Sequence, residues 1–246
     1  MAKKLSLLGV NISLVTNKTI IPEIERTLSK KPQVHIVTPN PEQIIQAQGE
    51  SEFKKNLNNA DIAIPDGVGV IWALKRRHKK IVVERVTGAD LLVRLCEYAQ
   101  VNDWKVGLLG GWDGVAQAAG QRLKNFFPKL RIVTLPAHQD VTSPTSEEDV
   151  VIAEVIRKNR IEILFVAYGA PYQELWIAKY LPKLKTVKIA MGIGGAFDFL
   201  AGYSRRAPLF LQNAGFEWLY RLVRQPWRWK RQLRLASFVW RVMREK

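Results

Sequence analysis

The strongest constraint on the fold is a regular alternation of short β-rich apolar runs with longer amphipathic segments, from residue 5 to about residue 200. The runs predicted as strands are Leu5–Ile12, Val34–Val37, Asp61–Ile64, Lys105–Leu109, Arg131–Leu135, Ile161–Ala167 and Val187–Ile193. The segments with helical periodicity include Ile20–Ser29, Pro41–Asn56, Gly88–Gln100, Val115–Phe127, Glu147–Lys158 and Tyr172–Leu181. This alternation predicts an α/β fold with a Rossmann-like, mostly parallel sheet and helices on both faces.

The last part of the chain differs in composition from the rest. Residues 203–246 contain eleven Lys or Arg residues and two acidic residues, so they carry +9 of the net charge of +16. They also hold four of the eight tryptophans, Trp218, Trp227, Trp229 and Trp240. We therefore divide the chain into an α/β core, residues 1–200, and a basic helical appendage, residues 201–246, which we expect to meet an anionic partner.

The end of the appendage has the pattern of an amphipathic helix. Apolar residues fall on one helical stripe, with arginines on its flanks: Trp229, Leu233, Ala236, Trp240 and Met243. Phosphate contacts do not require such a stripe, so the pattern favours a membrane surface, with nucleic acid as the alternative. No stretch reaches the roughly 18 uncharged residues of a transmembrane helix, and the N-terminus is too polar for a signal peptide. We expect a cytoplasmic protein that is peripheral on the inner face of the plasma membrane.

Polar residues stand at the predicted carboxyl ends of two strands, where ligands bind in open parallel sheets. Thr38 and Asn40 follow one strand, and Asp66 follows another. An aspartate between a proline and a glycine, just before a helix, has two interpretations. It either caps the helix or acts as a general base at the edge of the sheet.

Three glycine clusters follow predicted strands, and their members are Gly110 and Gly111, then Gly169, then Gly192, Gly194 and Gly195. Each cluster alone is equally compatible with a tight turn and with a loop whose backbone N–H groups bind a diphosphate. The three together favour a nucleotide or nucleotide-sugar pocket. Phe197 stands where a dinucleotide fingerprint needs its third glycine, which argues against a nicotinamide-dependent oxidoreductase on the same fold.

The sequence carries no recognisable set of metal ligands. It has no Asp-x-Asp motif and a single cysteine, Cys96, and its three histidines, His35, His78 and His138, are isolated from one another. We therefore expect neither a metal ion nor a cofactor. Without a metal, arginines and backbone amides must meet the charge of any diphosphate leaving group, and Arg85 is the candidate in the core.

Taken together, these motifs resemble the WecG/TagA/CpsF family of bacterial glycosyltransferases. The matching stretches run in order along nearly the whole chain: residues 8–10, 38–40, 65–69 (Pro-Asp-Gly-Val-Gly), 84–91 (Glu-Arg-Val-Thr-Gly-Ala-Asp-Leu), 108–111, 169–174 (Gly-Ala-Pro-Tyr-Gln-Glu), 192–198 (Gly-Ile-Gly-Gly-Ala-Phe-Asp), 206–208 and 215–222. The resemblance implies an inverting, metal-independent transfer from a UDP-sugar to undecaprenyl-diphosphate-linked N-acetylglucosamine, as in teichoic-acid synthesis. The donor it implies is UDP-N-acetylmannosamine, with the corresponding uronic acid or another hexose, for a capsule or exopolysaccharide, as the alternative.

The resemblance also implies roles for individual residues. Asp66 would be the base, Thr38, Asn40 and Gln173 would orient the sugar or the acceptor, and Arg85 would bind negative charge. The appendage would close over the active site, and its candidates for binding the diphosphate or the membrane are Arg206, Arg221, Arg224, Arg228 and Arg231. Self-association through an exposed apolar surface is compatible with the same sequence.

Overall fold

The structure is a computed structural model that describes residues 2–112, 114–205, 207–208, 210–211, 216–224 and 229–245. Within those ranges, the side chains of residues 221 and 229–232 lie outside the description.

The described residues contain eight strands, numbered β1 to β8 in chain order. They are Lys4–Leu7, Val10–Ser13, Val34–Val37, Ile62–Ala63, Lys105–Gly110, Arg131–Thr134, Ile163–Ala167 and Ile189–Gly192. Strands β3 to β8 form one sheet in the order β4-β3-β8-β7-β5-β6, in which all neighbouring strands are parallel. The prediction of an α/β fold with a parallel sheet is confirmed.

The helices of the described residues, numbered α1 to α11, are Ile20–Leu28, Pro41–Gly49, Ser51–Asn59, Val68–Arg77, Gly88–Val101, Val115–Phe126, Ser146–Asn159, Tyr172–Tyr180, Ala196–Ala201, Glu217–Arg224 and Trp229–Arg244. The prediction of one helix over Pro41–Asn56 is wrong, because α2 and α3 are separate helices. Glu50 between them has an extended backbone, with φ −125° and ψ 92°. The break follows Gly49, and glycine is a poor helix former.

The prediction of a single strand over Leu5–Ile12 is also wrong. Leu8 and Gly9 have φ values of 51° and 73°, and they fold β1 and β2 into an antiparallel hairpin. Positive φ at both central residues is typical of a type I′ turn, which glycine adopts freely and leucine rarely does. Asn58 of α3 stabilises the hairpin, since its Oδ1 accepts from the Asn11 N–H at 2.8 Å and its Nδ2 donates to the Gly9 carbonyl at 2.9 Å.

The central sheet is buried on both faces. On one face Ile36, Phe165 and Met191 pack with apolar residues of α5 and α6. On the other face Val37 packs with α2 and α3, and Leu164 packs with α7 and α8. Strands buried on both faces are apolar along their whole length, which explains why they were evident in the sequence as continuous apolar runs.

The chain leaves the sheet in opposite directions after two neighbouring strands, β5 and β7. After β5 it returns as β6 at the edge of the sheet, and after β7 it returns as β8 on the other side. The two outgoing loops therefore diverge and leave a crevice at the carboxyl ends of the strands, which is where open α/β sheets bind ligands.

The last helix, α11, packs against the core. Its residues Phe238 and Val242 are fully buried in the same cluster as Ile44 of α2. The carboxylate of Glu245, just after α11, pairs with Arg77 at 2.8 Å and accepts from the backbone N–H of Leu8 at 3.2 Å. The end of the appendage is therefore held by both apolar packing and charge.

The predicted apolar stripe of α11 lies on the opposite side of that helix from its buried residues. Leu233, Trp240 and Met243 are 60%, 53% and 54% exposed, and Ala236 is exposed as well. The side chain of Trp229 lies outside the described residues. None of the helices in the described part of the chain is long and apolar enough to cross a bilayer.

Candidate active site

A cavity of about 490 Å³ lies at the carboxyl ends of β3, β4 and β8. All five residues that the sequence predicts as catalytic line it: Thr38, Asn40, Asp66, Arg85 and Gln173. They come from the loops after β3 and β4, the segment before α5 and the first turn of α8. The fold, and not proximity along the chain, therefore brings these polar groups together, as is usual for a ligand site.

Asp66 lies between β4 and α4, half-buried at the cavity wall. The N-cap position of α4 is occupied by Gly67, which has no side chain. Asp66 therefore does not hold the N-cap position that the capping interpretation gives it. Its Oδ2 instead accepts from the backbone N–H of Gly88 at 3.4 Å, at the start of α5. The positive end of α5 thus faces the carboxylate, a favourable arrangement for a negative group.

Thr38 and Asn40 follow β3 and approach the same space from a second side. Thr38 is buried, and a Cβ atom built on Gly88 would lie 3.2 Å from its Cγ2, so α5 begins in close contact with it. Asn40 caps α2, since its Oδ1 accepts from the Gln43 N–H at 3.0 Å. The capping bond fixes the orientation of the Asn40 amide, whose nitrogen makes no hydrogen bond to the described residues.

Gln173 joins two of the glycine loops. Its Oε1 accepts from the Gly169 N–H at 3.1 Å and from the Gly194 N–H at 2.9 Å. Its Nε2 donates to Glu174 Oε1 at 2.8 Å, and both side chains are almost completely buried. Burial raises the pKa of Glu174 from 4.5 to about 7. Gln173 therefore fixes the loops after β7 and β8 relative to each other.

The six glycines predicted as a nucleotide-sugar site divide into two groups. Gly169, Gly194 and Gly195 line the cavity, and together with Gly111 they also line a neighbouring groove of about 480 Å³. Gly110 and Gly192 line neither space. A Cβ atom at Gly110 would lie 2.7 Å from the Tyr168 ring, and one at Gly192 would lie 2.8 Å from Gln173 Nε2. At these two positions the missing side chain allows close packing.

The neighbouring groove lies over the switch point between β5 and β7. It contains Trp112, an exposed aromatic side chain whose Nε1 donates to Asp198 Oδ1 at 2.9 Å. The Trp112 ring also lies 4.7 Å from the ring of Tyr203. The cavity and the groove share Tyr168 and three of the glycines, so they form one continuous polar surface along the sheet edge.

Arg85 links the cavity to the appendage. Its Nη2 forms a short ion pair with Glu217 in the first turn of α10, and both residues line the cavity. Arg85 Nε is buried and has no hydrogen-bond partner among the described residues. A carboxylate of the appendage thus holds the guanidinium that the sequence assigns to binding negative charge.

The appendage brings a further arginine to the cavity, Arg234 of α11, for which the sequence predicted no role at the site. Its Nη1 donates to Gln46 Oε1 of α2 at 3.0 Å. Of the five predicted anion-binding arginines, Arg206 and Arg228 lie outside the described residues, as do the side chains of Arg221 and Arg231. Arg224 is exposed, lies 5.6 Å over the Tyr220 ring and does not line the cavity.

A buried polar network supports the wall that the cavity and the groove share. The carboxylate of Asp149 accepts from Trp176 Nε1 at 2.8 Å and from the Tyr180 hydroxyl, and it lies 3.0 Å from His138 Nε2. The other ring nitrogen of His138 lies 2.7 Å from the Tyr168 hydroxyl. Burial opposes ionisation of Asp149, yet the hydrogen bonds from Tyr180, Trp176 and His138 hold its pKa below the ordinary value.

That network was not evident in the sequence, where His138 is isolated. Its members are dispersed over about 40 residues and meet only in the folded chain. No group of three or more His, Cys, Asp or Glu side chains is arranged to hold a metal ion within the described ranges.

Comparison with known proteins matches this chain to one family over nearly its whole length. The sequence model described as "Glycosyl transferase WecG/TagA/CpsF family" matches residues 5–246. Two relatives carry the name N-acetylglucosaminyldiphosphoundecaprenol N-acetyl-beta-D-mannosaminyltransferase. The one from Bacillus spizizenii is 32% identical over 227 residues, which cover 92% of this chain and 85% of the relative. The one from Staphylococcus aureus is 29% identical over 248 residues, which cover 99% of this chain and 93% of the relative.

Replacing Glu174 with glutamine tests the buried pair behind the glycine loops. In the folded protein Glu174 keeps a proton that the unfolded chain releases above pH 4.5, so its contribution to stability decreases as the pH rises towards 7. E174Q has no such proton and keeps the acceptor for Gln173. Relative to the native chain, E174Q should therefore gain up to about 3 kcal/mol of unfolding free energy between pH 4.5 and pH 8. Chemical denaturation across this range measures the difference.

The matched control is E154Q, which removes an exposed carboxylate from α7. Its difference from the native chain should show no comparable change with pH. If E174Q and E154Q follow the native chain in parallel, Glu174 is not held protonated by burial.

A double-mutant cycle tests the pair between Arg85 and Glu217. Because E217Q leaves a largely buried guanidinium without its carboxylate, it should lower the unfolding free energy by about 1–3 kcal/mol. The effect of E217Q should be smaller when Arg85 is already glutamine. The cycle is needed because Glu217 has further interaction partners.

D103N is the matched control. It breaks a surface ion pair in which the Arg131 side chain is 44% exposed and the Asp103 side chain is 81% exposed. It should cost less than about 1 kcal/mol. An additive cycle for Arg85 and Glu217 would show that the pair does not attach the appendage to the cavity.

Proposed function

The chain belongs to the WecG/TagA/CpsF family of glycosyltransferases, and we propose that it transfers N-acetylmannosamine from UDP to N-acetylglucosaminyldiphosphoundecaprenol. The relatives that carry the name of this activity match almost the whole chain. The observation that carries the proposal is the meeting of Asp66, Thr38, Asn40, Arg85 and Gln173 in one cavity that continues into a glycine-lined groove. The product would extend a lipid-linked precursor of a cell-surface polymer of the teichoic-acid type.

The proposed reaction is one direct displacement. A hydroxyl oxygen of the acceptor sugar attacks the anomeric carbon of the donor, and the bond from that carbon to the UDP oxygen breaks. The hydroxyl proton passes to the Asp66 carboxylate, and the electron pair of the broken bond stays on the departing UDP. Attack from the side opposite the leaving group inverts the anomeric configuration. Asp66 suits the role of base because its carboxylate lies at the cavity wall and accepts from the Gly88 N–H.

The departing UDP carries negative charge that the site has to stabilise, and in this proposal no metal ion does so. Arg85 lines the cavity, so its guanidinium lies beside a ligand bound there. The turns at Gly169, Gly194 and Gly195 line both spaces, and without side chains they let a diphosphate approach closely, while the N–H groups of Gly169 and Gly194 donate to Gln173. A preorganised cation such as Arg85 acts in the transition state without further rearrangement.

We assign the groove beside the switch point to the nucleotide part of the donor. Trp112 offers an aromatic face and Asp198 a carboxylate acceptor, and the glycine turns between the groove and the cavity would lie along the diphosphate. Thr38, Asn40 and the cavity surface near Gln173 would then surround the sugar. In this arrangement Gln173 acts by positioning the two loops, because its amide oxygen already accepts two backbone bonds.

We also propose that the protein works at a membrane surface, because an undecaprenyl-linked acceptor stays in the bilayer. The exposed residues Leu233, Trp240 and Met243 form an apolar stripe on α11, and Arg244 lies beside it. Such a helix can lie in the headgroup region with its apolar side towards the acyl chains. Basic residues near an anionic leaflet add about 1 kcal/mol each.

The proposed function is tested by incubating the protein with single UDP-sugars and a short-chain lipid-diphosphate-N-acetylglucosamine in the presence of EDTA. Mass spectrometry should detect one added N-acetylhexosamine with UDP-N-acetylmannosamine. Addition from the corresponding uronic acid or from another hexose alone would assign a different donor. No addition from any of them would remove the proposed function.

In the same assay D66N should reduce the rate by about 100- to 10,000-fold, because the amide cannot accept the acceptor's proton. The variant should keep the fold and be stabilised by UDP as the native chain is. E97Q, which removes an exposed carboxylate from α5, is the control and should keep the native rate. Near-native turnover by D66N would exclude Asp66 as the base.

The membrane proposal is tested with L233S/W240S/M243S, which removes the exposed apolar stripe and leaves the buried side of α11 unchanged. Its binding to phosphatidylglycerol vesicles in sedimentation assays should be weaker by about ten-fold or more, because less apolar surface enters the bilayer. V150S/V151S is the matched control, since these α7 residues are 57% and 49% exposed on another helix. If the two variants bind vesicles equally well, the stripe does not attach the protein to the membrane.

A further inference from the structure

Among the cationic side chains of the appendage that the structure describes, that of Arg234 lies in the wall of the cavity that contains Asp66. It is half-buried on the side of α11 that faces α2. Its hydrogen-bond partner is Gln46, whose Nε2 donates in turn to Glu50 Oε1 at 3.0 Å. The bond to Glu50 orients the Gln46 amide so that its oxygen faces the guanidinium. Arg234 is therefore held in a fixed position by neighbours on α2.

The charge of Arg234 has no carboxylate partner among the described residues. Its hydrogen bond goes to an uncharged amide, whereas Arg85, the other arginine described in the cavity wall, is paired with Glu217. A guanidinium has five N–H donors in a planar arrangement that matches phosphate oxygens well. A half-buried arginine with one neutral partner in a ligand cavity is suited to binding an anionic group of a ligand.

Two diphosphates take part in the proposed reaction, and their binding positions must differ. The donor's diphosphate is assigned to the glycine turns and Arg85. Arg234 lies on α11, the helix that carries the exposed apolar stripe, and its neighbour in sequence is Leu233 of that stripe. A ligand at Arg234 thus has the reactive cavity on one side and the lipid-facing surface close by.

A second apolar surface borders this region. Helix α4 begins two residues after Asp66, and its residues Val68 and Trp72, one turn apart, are 37% and 40% exposed. The start of α4 packs against α11, because a Cβ atom built on Gly69 would lie 3.6 Å from the Phe238 ring. The exposed apolar side chains of α4 therefore lie on a helix that contacts α11 and begins close to Asp66.

We propose that Arg234, held by Gln46, binds the diphosphate of the lipid-linked acceptor and so sets the distance of its sugar hydroxyl from Asp66. The inference rests on the proposed function and adds the acceptor side of the site to it. The sugar extends into the cavity towards Asp66, and the first isoprene units leave over the apolar surface of α4 and α11. Arg234 is then a determinant of acceptor specificity, selecting acceptors in which a diphosphate separates the sugar from the lipid.

The steady-state test compares R234Q with R241Q, which removes the same charge from an exposed position on the same helix. With a soluble short-chain lipid-diphosphate-N-acetylglucosamine, R234Q should raise the acceptor KM by roughly ten- to a hundred-fold, the expected loss for a charge-assisted hydrogen bond. The KM for the UDP-sugar should stay at the native value. R241Q should leave both constants unchanged, and R234K should recover part of the loss.

A neutral acceptor provides the specificity readout. An alkyl glycoside of N-acetylglucosamine lacks the diphosphate, so R234Q and the native chain should use it equally poorly. The preference of the native chain for the diphosphate acceptor should therefore shrink in R234Q. A preference that survives R234Q unchanged would overturn the proposal.

Binding of ligands without turnover separates this site from the donor site. Farnesyl diphosphate should raise the melting temperature of the native chain and R241Q more than that of R234Q, while UDP should stabilise all three equally. UDP stabilisation also verifies that the cavity of R234Q is folded. If R234Q lost the response to UDP as much as the response to farnesyl diphosphate, Arg234 would belong to the donor site and the proposal would be wrong.

Phospholipid headgroups also contain phosphate, so a separate experiment has to distinguish them from the diphosphate of the acceptor. R234Q and R241Q should lose binding to phosphatidylglycerol vesicles to the same small extent. Selective loss of vesicle binding in R234Q, with a native acceptor KM, would assign Arg234 to the membrane surface and overturn the proposal. If the native chain transfers no sugar to any lipid-diphosphate acceptor, the proposed function is wrong. If the native chain transfers sugar and R234Q has the same acceptor KM, only the role of Arg234 is wrong.

Discussion

The carboxyl ends of six parallel strands meet at one edge of the sheet, and the loops that leave that edge must be held in place for a site to exist there. One buried side chain does this for two of them. Gln173 accepts from the backbone N–H groups of Gly169 and Gly194, and Glu174 accepts from the Gln173 amide in turn. Because Gly192 has no side chain, Gln173 can lie against the backbone of β8. A longer residue at position 192 or a shorter one at 173 would separate the two turns on which the proposed diphosphate site depends.

Tertiary contacts position the two arginine side chains described in the cavity at this edge of the sheet. Arg85 belongs to the core but is paired with Glu217 of the appendage, whereas Arg234 belongs to the appendage but is held by Gln46 of the core. Each side thus positions a cation through a partner on the other side. This arrangement fits the two anionic substrates of the proposed reaction. The UDP-sugar would diffuse from solution into the groove, and the lipid-linked acceptor would reach the cavity along the membrane, at the helix that carries the apolar stripe.

The local sequence was sufficient to predict most of the helices and strands. It was insufficient where a single residue adopts an unusual backbone conformation. The strand Val34–Val37 was predicted with its bounds because it is apolar on both faces. The hairpin was missed because its turn places leucine at positive φ, which no propensity favours.

The polar residues around Asp66 were found because they follow strands and match family motifs. The sequence could not decide which residue holds the N-cap position of α4, and the structure places Gly67 there. Arg234 was missed because the sequence shows it only as one of several basic residues of the last helix, and only the packing of α11 on α2 shows that it faces a cavity.

The packing of α11 also connects the two parts of the proposed function, which are sugar transfer and attachment to the membrane. A helix that only attached a protein to lipid would need one apolar side, and this helix has two. Phe238 and Val242 are buried in the core, while Trp240 and Met243 are exposed on the other side. The buried pair fixes the exposed stripe relative to the sheet, and the ion pair between Glu245 and Arg77 attaches the end of the helix to α4. In the proposed function, the fold therefore sets the height of Asp66 above a membrane in contact with the stripe. A polyprenyl-diphosphate gives its sugar only a limited reach above the bilayer, so a fixed height would bring the Asp66 carboxylate close to one hydroxyl of the acceptor.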